Sequence, residues 1–415
     1  MKKILILGGG FGGVATYQHL HKLIHPANIH NIKVELINKT NYFTFSPMLH
    51  EVATGSVERE HVVQPLREIL ACCGKDFHQA SVLTIDPDKK LVYTDAGEHS
   101  YDILVVALGV EQSFFNIPGA AEHALALKWL PGAIAIRNRI INSFEQASEM
   151  HDKRNSQAVH RFLNFVIVGG GPTGTELAGQ VSDLIRNEMT SFYGDVPTNH
   201  ANVVLIHAGA RLIEQLSPDA STAALQRLKH MNVRVLLNES VQEVTADSVK
   251  LSSKVSIPSN SVFWTAGTES TLPDILPKNL LNDRGLLSVS GAFQVPDYPE
   301  IFALGDSARV NEKGYEYPPL AQAAVQASGL VAKNIIAHIH KQPVKKKRYH
   351  HKGDIIPIGD KFGIFERKSI LITGFWMWAL RRAIFLQTMF GWGNKVHVLF
   401  DWTIQIFSPR DTSEF

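Results

Sequence analysis

Three side chains in this chain carry functional groups at a spacing that could do chemistry. Glu176 stands in "GGGPTGTELAG", two residues beyond its last fingerprint glycine, and Gln322 and Gln326 stand in "YPPLAQAAVQASGLVAKNI". An acid in a first helical turn is favoured by the helix dipole, whatever else it does. The two glutamines are i,i+4 neighbours and share one face of a helix. A primary amide both donates and accepts, so such a pair can hold a carbonyl and also the hydroxyl that replaces it on reduction. The same spacing also suits two polar residues on a solvated alanine-rich helix, and the residues alone leave both readings open. Pro318 and Pro319 suit the first turn of that helix, where a missing N–H costs nothing.

The elements that would position these groups begin at the N-terminus. "MKKILILGGGFGGVA" runs from an apolar strand, Ile4 to Leu7, into a glycine cluster. Gly8, Gly10 and Gly13 fit G-x-G-x-x-G, with Phe11 inside the pattern, a helix-compatible run after it, and a second strand ending at Asn38, just before Lys39. The first glycine makes the tight turn, the second lets backbone N–H groups approach a pyrophosphate, and the third lets helix and strand pack closely. The helix N-terminus then faces the phosphates with its positive end. The pattern recurs at Gly169, Gly171 and Gly174, with Pro172 and Thr173 inside it, and the following strand ends at His207. Two such loops point to two adenine dinucleotides in one chain, a flavin and a nicotinamide. The fold class expected is α/β, with two Rossmann-like dinucleotide-binding domains and a C-terminal membrane-associating segment.

Further stretches carry a family resemblance. "YPEIFALGDSARV" resembles the second FAD motif of the two-dinucleotide-binding-domain flavoproteins, in which the Asp, here Asp306, binds the flavin's ribityl or phosphate end. "YDILVVALGV", with Gly109, and "SVFWTAGT", with Gly267, resemble the two interdomain signatures of that superfamily. "NYFTFSPMLHEVATGSVE", which holds His50, Glu51 and Thr54, and A-Q-x-A-x-Q at Ala321, Gln322 and Gln326 closely resemble the type II NADH:quinone oxidoreductases. The resemblance implies non-covalent FAD, NADH as substrate, and a membrane quinone as electron acceptor. It implies that Gly8, Gly10, Phe11, Gly13, Asn38, Lys39, Thr54, Gly109, Gly169, Gly171, Pro172, Thr173, Gly174, His207, Gly267, Asp306 and Ala321 bind cofactor. Glu176, Gln322 and Gln326 become the catalytic set, with Glu176 near the nicotinamide and flavin and the glutamines near the quinone. No metal is expected. The implied organisation is an FAD domain at 1–119 and 291–345, an NAD(P)H domain at 120–290, and a membrane-anchoring or dimerising segment at 346–415. A homodimer at the cytoplasmic face of the inner membrane follows from the same resemblance.

Composition narrows the alternatives. The chain has 415 residues, 45% hydrophobic and 19% charged, as befits a globular protein with a large core. Its two cysteines, Cys72 and Cys73, are adjacent and lack the separation of a redox or metal pair; a reduced pair packed in a helix is expected. Disulfide reduction and sulfide oxidation are disfavoured for that reason, and a diffusible acceptor is expected. No secretory signal is visible before Gly8. No apolar run reaches the length of a membrane span. Residues 345–395 nevertheless hold 11 Lys and Arg against 3 Asp and Glu, and Trp376, Trp378, Trp392 and Trp402 cluster in or beside that stretch. Interleaved aromatic and basic residues describe a segment lying in a lipid interface, with a dimer surface or core as the competing reading. Nucleic-acid binding is not expected, because no solvated basic face forms.

Several residues depart from the family pattern. Asn38 and His207 stand where acids are common. An acid at the second position repels the 2′-phosphate of NADPH, so His207, with Arg211 nearby, opens the choice between NADH and NADPH. Arg381 and Arg382 stand where an apolar stretch is expected. "NKVHVLFDWTIQIF" reads equally as strand or helix, and the terminal "SPRDTSEF" is expected to be loose. Two other functions fit less of the sequence: a soluble NAD(P)H:acceptor reductase of the ferredoxin-reductase type, and a non-catalytic FAD- and NAD-binding sensor.

Overall fold

The structure is a computed structural model that describes residues 1–24, 31–70, 76–194, 196 and 201–414. Cys72 and Cys73 lie outside the described residues. The chain divides into two compact units, one of Met1–Thr44, Val63–Glu111 and Thr268–His351, the other of Phe45–Val62, Gln112–Gly267 and Lys352–Phe415.

The first unit is built on a six-stranded sheet ordered Gln294–Val295, Tyr298–Ala303, Ile103–Val106, Lys2–Leu7, Ile32–Asn38, Phe77–Gln79. All neighbours pair in parallel except the first two strands. Ile4–Leu7 and Leu104–Val106 are fully buried, as uninterrupted apolar runs must be when helices cover both faces of a parallel sheet. The helix Phe11–Ile24 makes the crossover from Lys2–Leu7 to Ile32–Asn38. The helix Ala321–Ile339 packs against it through small residues, among them Ala323 and Ala327. Pro318 and Pro319 precede this helix instead of opening it. Leu320 is extended at φ −131° and takes the cap position, so the helical turn starts one residue beyond the prolines' reach.

The second unit holds a five-stranded parallel sheet ordered Ala124–Ala126, Ser261–Trp264, Asn164–Val168, Asn202–His207, Val233–Leu237. Trp264, Val166, Val204 and Ile206 centre its core. The helix Pro172–Leu184 links the middle strand to Asn202–His207, and Pro172 fits its first turn because its missing N–H has no partner there anyway. Residues 352–415 add an antiparallel sheet of Asp354–Pro357, Gly363–Arg367 and Ile370–Gly374, then the helices Phe375–Thr388 and Trp392–Ile404. The ambiguous stretch is therefore helical: Val398 and Trp402, four residues apart, turn one face into the unit.

The tail is not loose up to Asp411. Arg410 is buried, donates to Asp360 Oδ2 at 3.0 Å and lies 3.4 Å from Glu188 Oε1. The buried guanidinium of Arg137 donates to the Asp411 carbonyl at 2.8 Å and carboxylate at 3.0 Å. Polar composition misleads here because both arginines sit inside the unit and need anionic partners. Arg410→Ala leaves the Glu188 carboxylate buried beside no cation. We expect a loss of about 3–5 kcal/mol in chemical denaturation, against no change if the tail only rests on the surface.

Candidate active site

In the first glycine loop, Gly8 has φ +104° and a Cβ there would lie 2.2 Å from the Ala107 carbonyl oxygen. A Cβ on Gly13 would lie 1.9 Å from the Gly8 oxygen. Strand and helix thus meet too closely for any side chain at either place. Gly10 differs: among the described residues nothing lies within 4 Å of the position its Cβ would take. Its bare backbone faces open space at the start of a helix of 14 residues, which suits an approaching phosphate. Asn38 accepts from the Gly9 N–H at 2.8 Å and donates to the carbonyl and hydroxyl of Thr40 at 2.9 and 3.0 Å. Phe11 meets Phe43 edge-on at 5.1 Å, and Lys39 pairs with Glu111. Asp306 sits in the single turn Gly305–Ser307, where Ser307 accepts from the Gly109 N–H at 2.6 Å. Ala321 is the first residue of its helix.

The second loop repeats this arrangement. Gly169 has φ +114°, a Cβ on Gly174 would lie 1.8 Å from the Gly169 oxygen, and nothing lies within 4 Å of a Cβ on Gly171. The Gly170 N–H donates to His207 Nδ1 at 3.2 Å. Asn38 and His207 therefore do one job in two places: a neutral acceptor at the end of the second strand fixes the middle glycine of the turn. Thr173 is exposed in the first helical turn. Gln112 donates to the carbonyls of Ala266 and Gly267 at 2.6 and 2.7 Å and holds that signature in place. Arg211, read from the sequence as a cation beside His207, instead donates to the carbonyls of Leu216 and Glu214 and to the Ser221 hydroxyl.

Glu176 lies in the second unit beside a buried ionic cluster that sequence reading did not assemble. Arg381 donates to Glu51 Oε1 at 2.7 Å, and Trp402 donates to Glu51 Oε2 at 2.8 Å. A second Arg381 nitrogen lies 3.1 Å from the Pro47 carbonyl and 3.2 Å from His50 Nε2. Arginine only donates, so His50 Nε2 accepts and Nδ1 carries the ring proton. That Nδ1 points at Glu176 Oε2, 3.6 Å away. Arg382 is clamped over Trp378 and Trp402, 3.8 and 4.6 Å from the ring centres. Thr54 is buried, its hydroxyl donating to the His50 carbonyl at 2.9 Å.

Burial and charge divide these groups. Burial pushes Glu176 up to about 8; the Arg381 cation opposes this and the Glu51 anion adds to it. Burial, then the Arg381 cation, brings His50 down to about 3. Burial pushes Glu51 up, but Arg381, His50 and Arg382 outweigh it and hold the carboxyl well below its usual range. At neutral pH the site therefore holds one fixed anion, Glu51, and one carboxylic acid, Glu176, next to a neutral imidazole. Two acids with opposed environments are the arrangement expected of acid–base machinery.

Gln322 and Gln326, the glutamines expected to be catalytic, belong to the first unit. Gln326 donates to the His350 carbonyl at 2.9 Å and accepts from the His350 N–H at 3.2 Å, which leaves its amide a second N–H and a second lone pair. Gln322 lies one turn earlier on the same helix face. Glu35, His78 and His99 approach one another closely enough to hold a metal ion. Lys3 and Lys33 already flank that carboxylate at 2.8 and 2.7 Å, which disfavours a further cation.

Residues 2–328 match the sequence model of the pyridine nucleotide-disulphide oxidoreductases. The chain belongs to that family. Its relatives include a probable NADH dehydrogenase of Dictyostelium discoideum, 29% identical over 100% of this chain and 91% of the relative. A type II NADH:quinone oxidoreductase of Mycobacterium tuberculosis is 26% identical over 98% of this chain and 89% of the relative. Among solved structures, NDH2 of Plasmodium falciparum in complex with NADH superposes with TM-score 0.90 at 20% identity, covering 99% of both chains. The sulfide:quinone oxidoreductase of Aquifex aeolicus superposes with TM-score 0.72 at 19% identity, over 98% of this chain and 95% of that one.

Sequence reading passed over Glu51, Arg381, Arg382 and Trp402 as site residues. The available signal was chemical: two adjacent arginines inside a strongly apolar stretch require buried acceptors. A raised carboxyl has a definite consequence. Between the ordinary value of 4.5 and about 8 the folded protein holds a proton on Glu176 that the unfolded chain has released. Folded stability therefore falls as pH rises through that window. Glu176→Gln should remove this slope, so its melting temperature should gain on the parent's from pH 5 to pH 8.5; a constant gap contradicts the assignment.

Proposed function

We propose that this chain oxidises NADH and passes two electrons to a membrane quinone, with FAD bound on its first glycine loop. The observation that carries this is the pair of matched glycine loops, each forced shut at two glycines and open at the one where a phosphate must approach. FAD, when bound, supplies the two-electron relay, accepting hydride from NADH and reducing the quinone. The loop Gly8–Gly13 with Asn38, Gly109 and Asp306 would hold it, with the helix Ala321–Ile339 presenting the amides of Gln322 and Gln326 to the acceptor. The loop Gly169–Gly174 holds the NADH pyrophosphate on the N-terminus of the helix Pro172–Leu184. Glu176, the fifth residue of that helix and so in its second turn instead of the first as the sequence suggested, is held protonated by its surroundings and relays a proton, with His50 Nδ1–H facing its carboxyl oxygen. Quinone reduction consumes one proton beyond the hydride, so an acid that is neutral at physiological pH has a use here. The absence of cysteines other than adjacent Cys72 and Cys73 removes the thiol pair that disulfide and sulfide chemistry requires.

The flavin-loaded protein should oxidise NADH rapidly only when a short-chain quinone is added. Among the described residues nothing opposes a side chain at Gly10, so Gly10→Val should fold, purify without yellow absorbance and lose quinone-dependent turnover. A Gly10→Val protein with full flavin content removes the loop assignment, and a yellow parent indifferent to quinone removes the acceptor.

Membrane contact belongs to the same proposal. Among the described residues no helix is long and apolar enough to cross a membrane. The two C-terminal helices instead show apolar stripes outward: Trp376, Leu380 and Ile384 on one, Trp392, Val396, Leu399 and Phe400 on the other. Trp376 is 76% exposed and Trp392 80%, and Phe407, just beyond, is 83% exposed. Such stripes beside a basic stretch fit a lipid interface. Replacing Trp376, Trp392 and Phe407 by Ser should release the protein from vesicles containing anionic lipid while turnover with a water-soluble quinone persists. Unchanged vesicle binding counts against lipid as the partner of this face.

A further inference from the structure

The strand Asn202–His207 ends where the ribose of a bound nicotinamide dinucleotide lies in folds of this type, and an acid there normally accepts from the 2′-hydroxyl and repels a 2′-phosphate. This chain has His207 at that place. Its Nδ1 accepts from the Gly170 N–H, so in the neutral ring the proton is on Nε2. That Nε2 is buried without a hydrogen-bond partner and lies 4.0 Å from Glu214 Oε1. Glu214 reaches this spot by folding over Gly209: a Cβ on Gly209 would lie 2.2 Å from Glu214 Oε1 and 2.7 Å from His207 Nε2. The carboxylate is half-exposed and faces the strand end. Its backbone is fixed there by Arg211, which donates to the carbonyls of Glu214 and Leu216.

Other charges at this strand end are engaged elsewhere. Arg211 directs its guanidinium into the 211–221 turn, where it binds two carbonyls and a hydroxyl, and a phosphate would have to displace them. Glu239, which follows the next strand, accepts from the Ser252 hydroxyl at 2.8 Å and the Ser253 N–H at 3.3 Å. Among the described residues Glu214 is left as the anion at the ribose end.

We infer that Glu214 supplies from the following turn the charge that the strand end lacks, and that it makes the chain select NADH over NADPH, with His207 as a positioning residue for the glycine loop. This rests on the reading that the loop Gly169–Gly174 binds the nicotinamide dinucleotide. The substitution at the strand end thus leaves the preference intact, because the carboxylate returns from seven residues further along.

The test is calorimetric titration of the flavin-loaded full chain with NAD⁺ and NADP⁺, neither of which turns over alone. The parent should bind NAD⁺ at least tenfold more tightly than NADP⁺, as like-charge repulsion across a few ångströms requires. Glu214→Gln keeps the shape, is half-exposed and so should fold, and should narrow that ratio roughly tenfold, chiefly by tighter NADP⁺ binding. An unchanged ratio in Glu214→Gln, or a parent that binds both equally, overturns the inference. Arg211→Gln should bind NADP⁺ no more weakly than the parent; weaker binding makes Arg211 the phosphate receptor and also overturns it. A parent that binds neither nucleotide refutes the underlying nucleotide-site reading instead.

Discussion

The contact between Arg381 and Glu51 governs the second unit's chemistry. A guanidinium and a carboxylate, each about 3% exposed, cannot stay buried unless they remain paired. Trp402 takes the second carboxylate oxygen, and His50 and the Pro47 carbonyl take the second guanidinium nitrogen. The segment Phe45–Val62 is thereby tied to both C-terminal helices. With Glu51 fixed as the anion and Arg381 largely neutralised by it, Glu176 has too little positive charge nearby to ionise in its buried setting. Burial sets the state of the acid, and the pair, whose two charges act on it in opposite directions, does little to undo that.

The glycine loops were legible because they answer to one geometric demand. Gly8 against Gly13 and Gly169 against Gly174 leave less than 2 Å for a side chain, and no other residue type satisfies that demand. The apolar runs that lead into them also announced their strands, since strands covered on both faces have no polar alternation. The family, the fold class and the oxidoreductase chemistry therefore followed from short local patterns whose meaning does not depend on the rest of the chain.

What stayed hidden depends on distant partners. Nothing local says that Arg381 meets Glu51, 330 residues earlier, or that Arg410 is held by Asp360 and Glu188. A polar tail reads as loose, and a pair of arginines as part of a basic run at a lipid interface, until their acceptors are seen. Asn38 and His207 were read as departures at a ligand contact, because residue type alone cannot tell an acceptor for a ribose from an acceptor for a backbone N–H. Their side chains turn to Gly9 and Gly170, so the two substitutions look less like losses than like a shared way of bracing a turn. Arg211 shows the converse: proximity in sequence to a ligand position said nothing about its direction.

The helix Phe375–Thr388 turns Arg381 inward and Trp376, Leu380 and Ile384 outward. The helix cannot turn freely about its own axis, because the Arg381 to Glu51 pair pins its inner side. A rotation large enough to hide the stripe would bring the paired guanidinium out of its dry setting, so the greasy outer surface and the sealed ion pair are locked to each other.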